Sequence, residues 1–266
     1  MRLDFHLHTD RSDGQLSPHE LLAAVRRERV DAWAVTDHDS LAAFGELRGQ
    51  AGLVPGVEVT SSHEGREVHV VGLGIDPDDR GLGEFLAGIR SQRRIRLVAL
   101  IARLPASASR GLAITDLDDG RAEALGRNHL ARALVRLGSV PTLQRAFADH
   151  LADEHIADPT LPQFPELPLV TAAIRAAGGL AILAHPGIYG SRAAVEPLAA
   201  HCDGLELAHP GLDPTLASQF AALCDERGLF MSVGSDLHFL GGRRPGMLAI
   251  DDARVRPLLQ RIGVAA

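Results

Sequence analysis

Lysine is absent from this 266-residue chain; all 27 basic residues are arginine. That excludes a catalytic lysine and a P-loop lysine, and it leaves any cationic contact with phosphate to the planar, bidentate fork of arginine. Cysteine is scarce. Cys202 and Cys224 form no metal-binding or redox motif and read as reduced, mostly buried thiols of a cytoplasmic protein. The N-terminus starts directly with a strand. No charged leader with an apolar core and no long spanning segment is seen, so neither export nor membrane insertion is expected. A positive surplus is also lacking. The formal net charge of −7 argues against a surface that coats nucleic acid in general, though not against a local basic pocket. With 45% hydrophobic residues, the chain can build one large domain or one with a sizeable insertion.

Histidine and carboxylate are present instead, placed after apolar strands. In Leu3-Asp4-Phe5-His6-Leu7-His8, alternation sends Leu3, Phe5 and Leu7 to one face and Asp4, His6 and His8 to the other. Ser17-Pro18-His19-Glu20 then has the form of a helix start, with Ser as cap, Pro first and Glu third. Further strands are predicted at 32–35, 55–59, 67–71, 180–184, 204–207 and 230–233, with helices around 168–177 and 214–227. Strands alternating with helices predict an α/β fold with a parallel sheet, and polar residues at strand C-termini lie where a β/α barrel builds its active site. The stretch 81–158 differs. It is mostly helical, rich in Arg, Ala and Leu, and carries no metal-ligand pattern, so it reads as a helical insertion beside the barrel mouth. Prolines at 159, 162, 165 and 168 predict an extended connector over 158–168.

His6-x-His8 on a strand points two imidazoles the same way, as one metal requires. Asp236-x-His238 repeats the geometry at a second strand end. Asp37 and Asp39 flank His38 and are placed to orient its ring. Glu58 is a lone carboxylate in Pro55-Gly56-Val57-Glu58-Val59; buried and unpaired it is costly, and either bridging two cations or a salt bridge to Arg removes that cost. His69 in Val68-His69-Val70-Val71, taken singly, reads as a core histidine. The case rests on the set, whose members fall at the same end of successive strands.

The set resembles the polymerase and histidinol phosphatase (PHP) family of metal-dependent phosphoesterases. The segments that carry the likeness are His6-Leu7-His8-Thr9-Asp10-Arg11-Ser12-Asp13-Gly14, Val35-Thr36-Asp37-His38-Asp39-Ser40, Pro55-Gly56-Val57-Glu58 with His69, Ala184-His185-Pro186, and Gly234-Ser235-Asp236-Leu237-His238. The resemblance implies a distorted (β/α)7 barrel from 1–80 and 159–266, with 81–158 inserted over the active-site mouth. It also implies two or three divalent ions. By that likeness Glu58 bridges two of them, His6, His8, His69, His185 and Asp236 complete the pair, and Asp13, His38 and His238 hold a third. An oxygen and nitrogen ligand set suits Mn²⁺, Fe²⁺ or Zn²⁺.

Gly126-Arg127-Asn128-His129-Leu130-Ala131-Arg132 is similar to a segment of the branch of nucleotide 3′,5′-bisphosphate phosphatases and 5′–3′ exonucleases. The likeness implies that Arg127 and His129 approach substrate phosphate and that His209 lies near the active site. The expected reaction is hydrolysis of a phosphate monoester by a metal-bridging hydroxide, foremost the 3′-phosphate of a nucleoside 3′,5′-bisphosphate, with short 5′-phosphorylated oligonucleotides as further substrates. In this expectation Arg127 holds a phosphate oxygen, His129 or His209 either protonates the leaving oxygen or merely hydrogen-bonds the substrate, and Asp236 is a ligand that can also accept a proton. One segment departs from the branch: a Gly-Pro-Ala-Tyr-Val-Pro-like stretch is replaced by Asp153-Glu154-His155-Ile156-Ala157-Asp158-Pro159, which bears on substrate identity more than on chemistry. The competing readings are a phosphatase for another small ester such as histidinol phosphate, a non-catalytic metal-binding domain, and an amidohydrolase, which usually needs a carboxylated lysine or another bridging ligand. His19, His63, His150, His155 and His201 are expected on the surface, and Arg90, Arg93, Arg94 and Arg96 on a solvated helix face.

Overall fold

The computed structural model describes residues 1–117, 120–152 and 160–265; the departing segment 153–159 lies outside them. Two sheets carry the chemistry-bearing segments. β1 (Leu3–Asp4) pairs in parallel with β2 (Ala32–Trp33). Beside them stand five strands in the order β3 (Gly56–His63), β4 (Arg66–Leu73), β5 (Leu180–Leu183), β6 (Gly204–Ala208) and β7 (Phe230–Val233). The ladders form two sheets rather than one closed ring. Shorter backbone contacts link them. Phe5 N donates to Val233 O (2.9 Å), Asp236 N to His6 O (2.9 Å) and His8 N to Leu237 O (3.0 Å), while on the other side Asp39 N donates to Glu58 O (2.8 Å) and Glu58 N to Thr36 O (3.2 Å).

The expected strand over 3–8 is therefore only two residues long. Side chains take over its backbone groups: Leu7 N donates to Thr36 Oγ1, His6 N to Asp4 Oδ1 and Thr9 N to Asp37 Oδ1, which satisfies the amides without a ladder. Nor is the sheet parallel throughout, because β4 runs antiparallel to both β3 and β5. The cause is local. His63 pairs with Arg66, leaving only Glu64 and Gly65 to turn the chain, with φ of 51° and 77°, the two positive values of a tight hairpin.

Alternation along the strands then sorts the residues. Val57, Val59, Val68, Val70, Leu183 and Leu205 turn to a cluster shared with the helices, including Leu167 and Val170 of the helix Leu167–Ala176 and Phe220 of the helix Pro214–Arg227. Pro168 belongs to the first turn of the former helix rather than to a connector, since a missing N–H is harmless there. On the opposite strand face lie Glu58, His69 and Glu206, above a second cluster in which Val71, Ile182 and Val233 meet Val255 and Leu258 of the terminal helix Asp252–Arg261. The helix Pro18–Glu28 starts as its sequence predicts, with Ser17 and Glu20 in a reciprocal capping box.

The inserted region opens with a 24-residue helix, Arg80–Arg103. Its Leu82, Leu86 and Ile89 pack on the sheet's cluster, and its Leu97 and Leu100 join a separate cluster with Leu125, Leu130 and Leu134. The expectation of a solvated arginine face fails at Arg93, which is buried and binds Asp39 Oδ2 at 2.5 Å and Thr60 Oγ1. No helix among the described residues is long and apolar enough to cross a membrane.

Cys202 and Cys224 are buried in the apolar cluster, and burial pushes both thiols up to about 12. The native protein at pH 8 should therefore leave Ellman's reagent almost unreduced, and two thiols should titrate after unfolding in guanidinium. Rapid colour from the native protein would contradict this placement.

Candidate functional site

Glu58 is 1% exposed, and five imidazoles face its carboxylate. Oε2 lies 3.2 Å from His6 Nε2, 3.2 Å from His8 Nε2 and 3.0 Å from His38 Nδ1. Oε1 lies 3.1 Å from both His69 Nδ1 and His185 Nε2. A second carboxylate, Asp13, gathers His238 Nε2 at 3.1 Å, His8 Nδ1 at 3.7 Å and His38 Nε2 at 3.8 Å through Oδ1. Asp236 stands between the groups: its Oδ1 is 3.4 Å from His8 Nε2, 3.7 Å from His6 Nε2 and 3.3 Å from His238 Nδ1. All nine residues singled out as metal ligands thus converge.

The details differ from the expectation in three ways. His38 is not confined to the Asp13 group, since it offers its two ring nitrogens to two different carboxylates. Asp37 and Asp39 do not orient it. Asp37 accepts from Thr9 and Ser12, and Asp39 from Thr60 and Arg93. His69 does not come from a strand end but from the middle of the antiparallel β4, directly opposite Thr60 and one diagonal step from Glu58.

Proton accounting shows what this arrangement suits. Outward, His6 Nδ1 meets Glu206 Oε1 at 3.0 Å and His69 Nε2 meets Glu67 Oε1 at 3.0 Å. A carboxylate can only accept, so those nitrogens carry protons and the inner nitrogens of the neutral rings turn lone pairs toward Glu58. In the neutral form of these two rings, acceptor then faces acceptor. His6 Nε2, His8 Nε2, His38 Nδ1, Glu58 Oε2 and Asp13 Oδ1 are all buried without a hydrogen-bond partner. Extra protons or divalent cations resolve such a conflict, and imidazole backed by carboxylate is a favoured metal-ligand arrangement. Among the described residues, three sets have their donor atoms within 4.8 Å of one another and could each hold an ion: His8, Asp13, His38 and His238; His6, His8 and Glu58; His38, Glu58 and His69.

Without a cation, protons settle the conflict, since the carboxylates raise His6, His8 and His69. Burial pushes Glu58 up, but His38, His6 and His69 outweigh it and hold the carboxyl well below the usual range. The same opposition, with His238 and His38 as the main counterweights, lowers Asp13. For Asp236 the neighbouring rings of His209 and His8 outweigh burial and lower it too. His8 moves the other way, to about 10, because Asp236 and Glu58 outweigh its burial. The carboxylates are thus ionised at neutral pH, the form a cation needs.

The backbone is bent to make this possible. Asp39, His185 and Asp236 adopt left-handed φ of 49°, 33° and 49°, a strained choice for residues with side chains. Gly234 has no alternative, because a Cβ there would sit 2.1 Å from Glu206 Oε1 and 2.3 Å from His6 Cβ.

The residues expected to meet substrate are spread more widely. His209 joins the group, with Nε2 3.4 Å from Asp236 Oδ2 and Nδ1 accepting from Gly211 N. Arg127 lies one carboxylate away, 3.5 Å from Glu67. His129 is buried, accepts the Gly126 N–H that opens its own helix, and faces a neighbouring cavity with Arg121 and Arg136. Asn128 and Arg132 of the same segment instead bind Asp13, at 2.6 Å to Oδ2 and 2.7 Å to the carbonyl. They line a cleft of about 510 Å³ together with Asp13, Asp236, His238 and Arg243. Glu206, Glu67 and Arg243 escaped the sequence reading. Glu206 carried the same signal as Glu58, a carboxylate alternating with apolar strand residues. Arg243, which donates to Asp236 Oδ2 at 3.0 Å, carried none.

Known proteins share this architecture. The chain is 34% identical over 248 residues to the 5′-3′ exoribonuclease Rnm of Salmonella typhimurium, covering 88% of this chain and 84% of that protein. It is 33% identical over 258 residues to the 3′,5′-nucleoside bisphosphate phosphatase of Chromobacterium violaceum, covering 90% and 88%. A crystal structure of a metal-dependent phosphoesterase from Bifidobacterium adolescentis superposes with a TM-score of 0.83 over 97% of this chain and 96% of that one, at 29% identity. No model of a known protein family matches. Likeness of this extent means that the chain is a hydrolase and belongs to the PHP family of metal-dependent phosphoesterases.

Proposed function

We propose that the protein removes phosphate from nucleotides, foremost the 3′-phosphate of nucleoside 3′,5′-bisphosphates, and that short 5′-phosphorylated oligonucleotides are a second substrate class. The observation that carries this reading is the set of buried imidazole nitrogens and carboxylate oxygens that face one another around Glu58 and Asp13 without hydrogen-bond partners. The relatives named as bisphosphate phosphatase and exoribonuclease support the substrate class. In this reading the two sheets form one distorted seven-stranded barrel from 1–80 and 159–266. The insertion, 81–158, reaches its mouth through Asn128 and Arg132. His6, His8, Asp13, His38, Glu58, His69, His185, Asp236 and His238 hold two or three divalent ions, among which Mn²⁺, Fe²⁺ and Zn²⁺ fit the donors.

When bound, such ions supply positive charge for the phosphoryl oxygens and lower the pKa of a coordinated water toward about 7. The chain's own residues do the rest. Glu206 and Glu67 fix the rings of His6 and His69 through their outer nitrogens. His209 is the hydrogen-bond donor to the leaving oxygen. Gly211 N occupies its Nδ1, so the neutral ring carries its proton on Nε2, beside Asp236. We give this role to His209 rather than His129, whose ring caps a helix and faces the neighbouring cavity. Asp236, held ionised, can accept a hydrogen bond from the attacking water. Arg127 is the guanidinium for a phosphate oxygen, and exchanging Glu67 for phosphate keeps its charge paired.

Replacing His8 or Asp236 by Ala should remove bound metal and phosphate release together, as read by elemental analysis and a phosphate assay; wild-type turnover in a metal-free variant sinks the mechanism. Glu206→Gln should lower metal affinity by roughly 10–100-fold, read by titration of the apoprotein. Saturating Mn²⁺ at about 100 times its Kd should raise Tm of the chelated protein by several degrees, and an unchanged Tm would speak against a metal site. In a panel of adenosine 3′,5′-bisphosphate, 5′-phosphorylated RNA and histidinol phosphate, the first should give the highest kcat/KM. Preference for histidinol phosphate defeats the substrate assignment.

A further inference from the structure

We propose that Phe239 is the platform on which the nucleobase of the substrate stacks, so that this ring sets the preference for base-bearing phosphate esters. The inference rests on the phosphoesterase reading above and adds the part of the substrate remote from the phosphate.

Of the chain's eight Phe, one Tyr and one Trp, Phe239 alone is exposed, at 51%. Every other such ring is buried or half-buried. A single exposed Phe elsewhere on a surface needs no explanation, but this one follows His238 directly and lines the same cleft as Asp13 and Asp236. Its position is built. Leu240 bridges to Arg243 across Gly241 and Gly242, with φ of 153° at Gly241, and Arg243 folds back to donate to Asp236 Oδ2 and to Ser235 O. The turn that presents the ring is thereby tied to the residue at the centre of the ligand group. Pro210 and Met247 extend the apolar side of the cleft. The carboxylates of Asp13 and Asp236, the imidazole of His238 and the uncovered ring of Phe239 line one space of about 510 Å³, a size suited to a small organic ligand. A mononucleotide has the matching polarity, charged at the phosphate and flat and apolar at the base. Stacking accepts any base, because each has a π-face.

The test compares adenosine 5′-monophosphate with ribose 5-phosphate, binding to the metal-loaded protein by calorimetry. The wild type should bind the adenosine compound about ten-fold tighter or more. The ratio of the two Kd values should fall toward one in Phe239→Ala and persist in Phe239→Trp. A wild-type ratio near one, a ratio unchanged in Phe239→Ala, or no measurable binding of either compound overturns the platform. Phosphate release from adenosine 3′,5′-bisphosphate is scored separately. Its absence defeats the nucleotide-phosphatase reading whatever the binding ratio, and its presence with a ratio of one defeats the platform alone.

Discussion

A carboxylate sealed from water among imidazoles is the constraint from which most of this structure follows. Glu58 has lost its hydration, and burying a lone anion costs several kcal/mol. Its neighbours are five rings that can be proton donors or metal ligands. The second carboxylate, Asp13, shares two of those rings, His8 and His38. Neither group can be understood alone, because removing one partner leaves the others facing like partners at about hydrogen-bond distance.

Much of the fold serves to hold this cluster at fixed geometry. Alternation in β3 and β6 sends Glu58 and Glu206 to one face and valine and leucine to the helices. The hairpin at Glu64-Gly65 reverses the chain so that His69 returns beside the strand that carries Glu58. Asp39 in its left-handed conformation is gripped by Arg93 and by Thr60, and this fixes the backbone next to His38. Asn128 and Arg132 reach from the inserted helices to Asp13. Contacts from several distant segments thus over-determine each strained residue, the condition under which strain persists.

The converging set around Glu58 and Asp13 was legible because its members are chemically distinctive residues, most of them among apolar neighbours with a period of two. The helix start at Ser17 was legible because its cap is local. Other features were not, for physical reasons. The reversal at Glu64-Gly65 had a two-residue turn signal, but the strand–helix alternation around it pointed to parallel pairing. Side chains of Asp4, Thr36 and Asp37 replaced ladder bonds and shortened β1, a substitution no pattern of hydropathy reveals. Arg93 looked like one of a row of solvated arginines. It falls on the stripe of Leu86, Ile89 and Leu97, and that spacing placed it inside. Arg243 and Asn128 act across 7 and 115 residues of chain, a partnership that only folding discloses.

The helix Arg80–Arg103 has a consequence of its own. At about 1.5 Å per residue it is a rod of roughly 36 Å, and its first half is glued to the sheet while its second half is glued to the inserted helices. Such a girder transmits melting in both directions. Loosening the inserted helices strips one flank of the rod, and the strain passes through Arg93 to the neighbourhood of Asp39 and His38. One helix thus joins the two hydrophobic clusters, and through Arg93 it ties the inserted helices to the backbone beside His38.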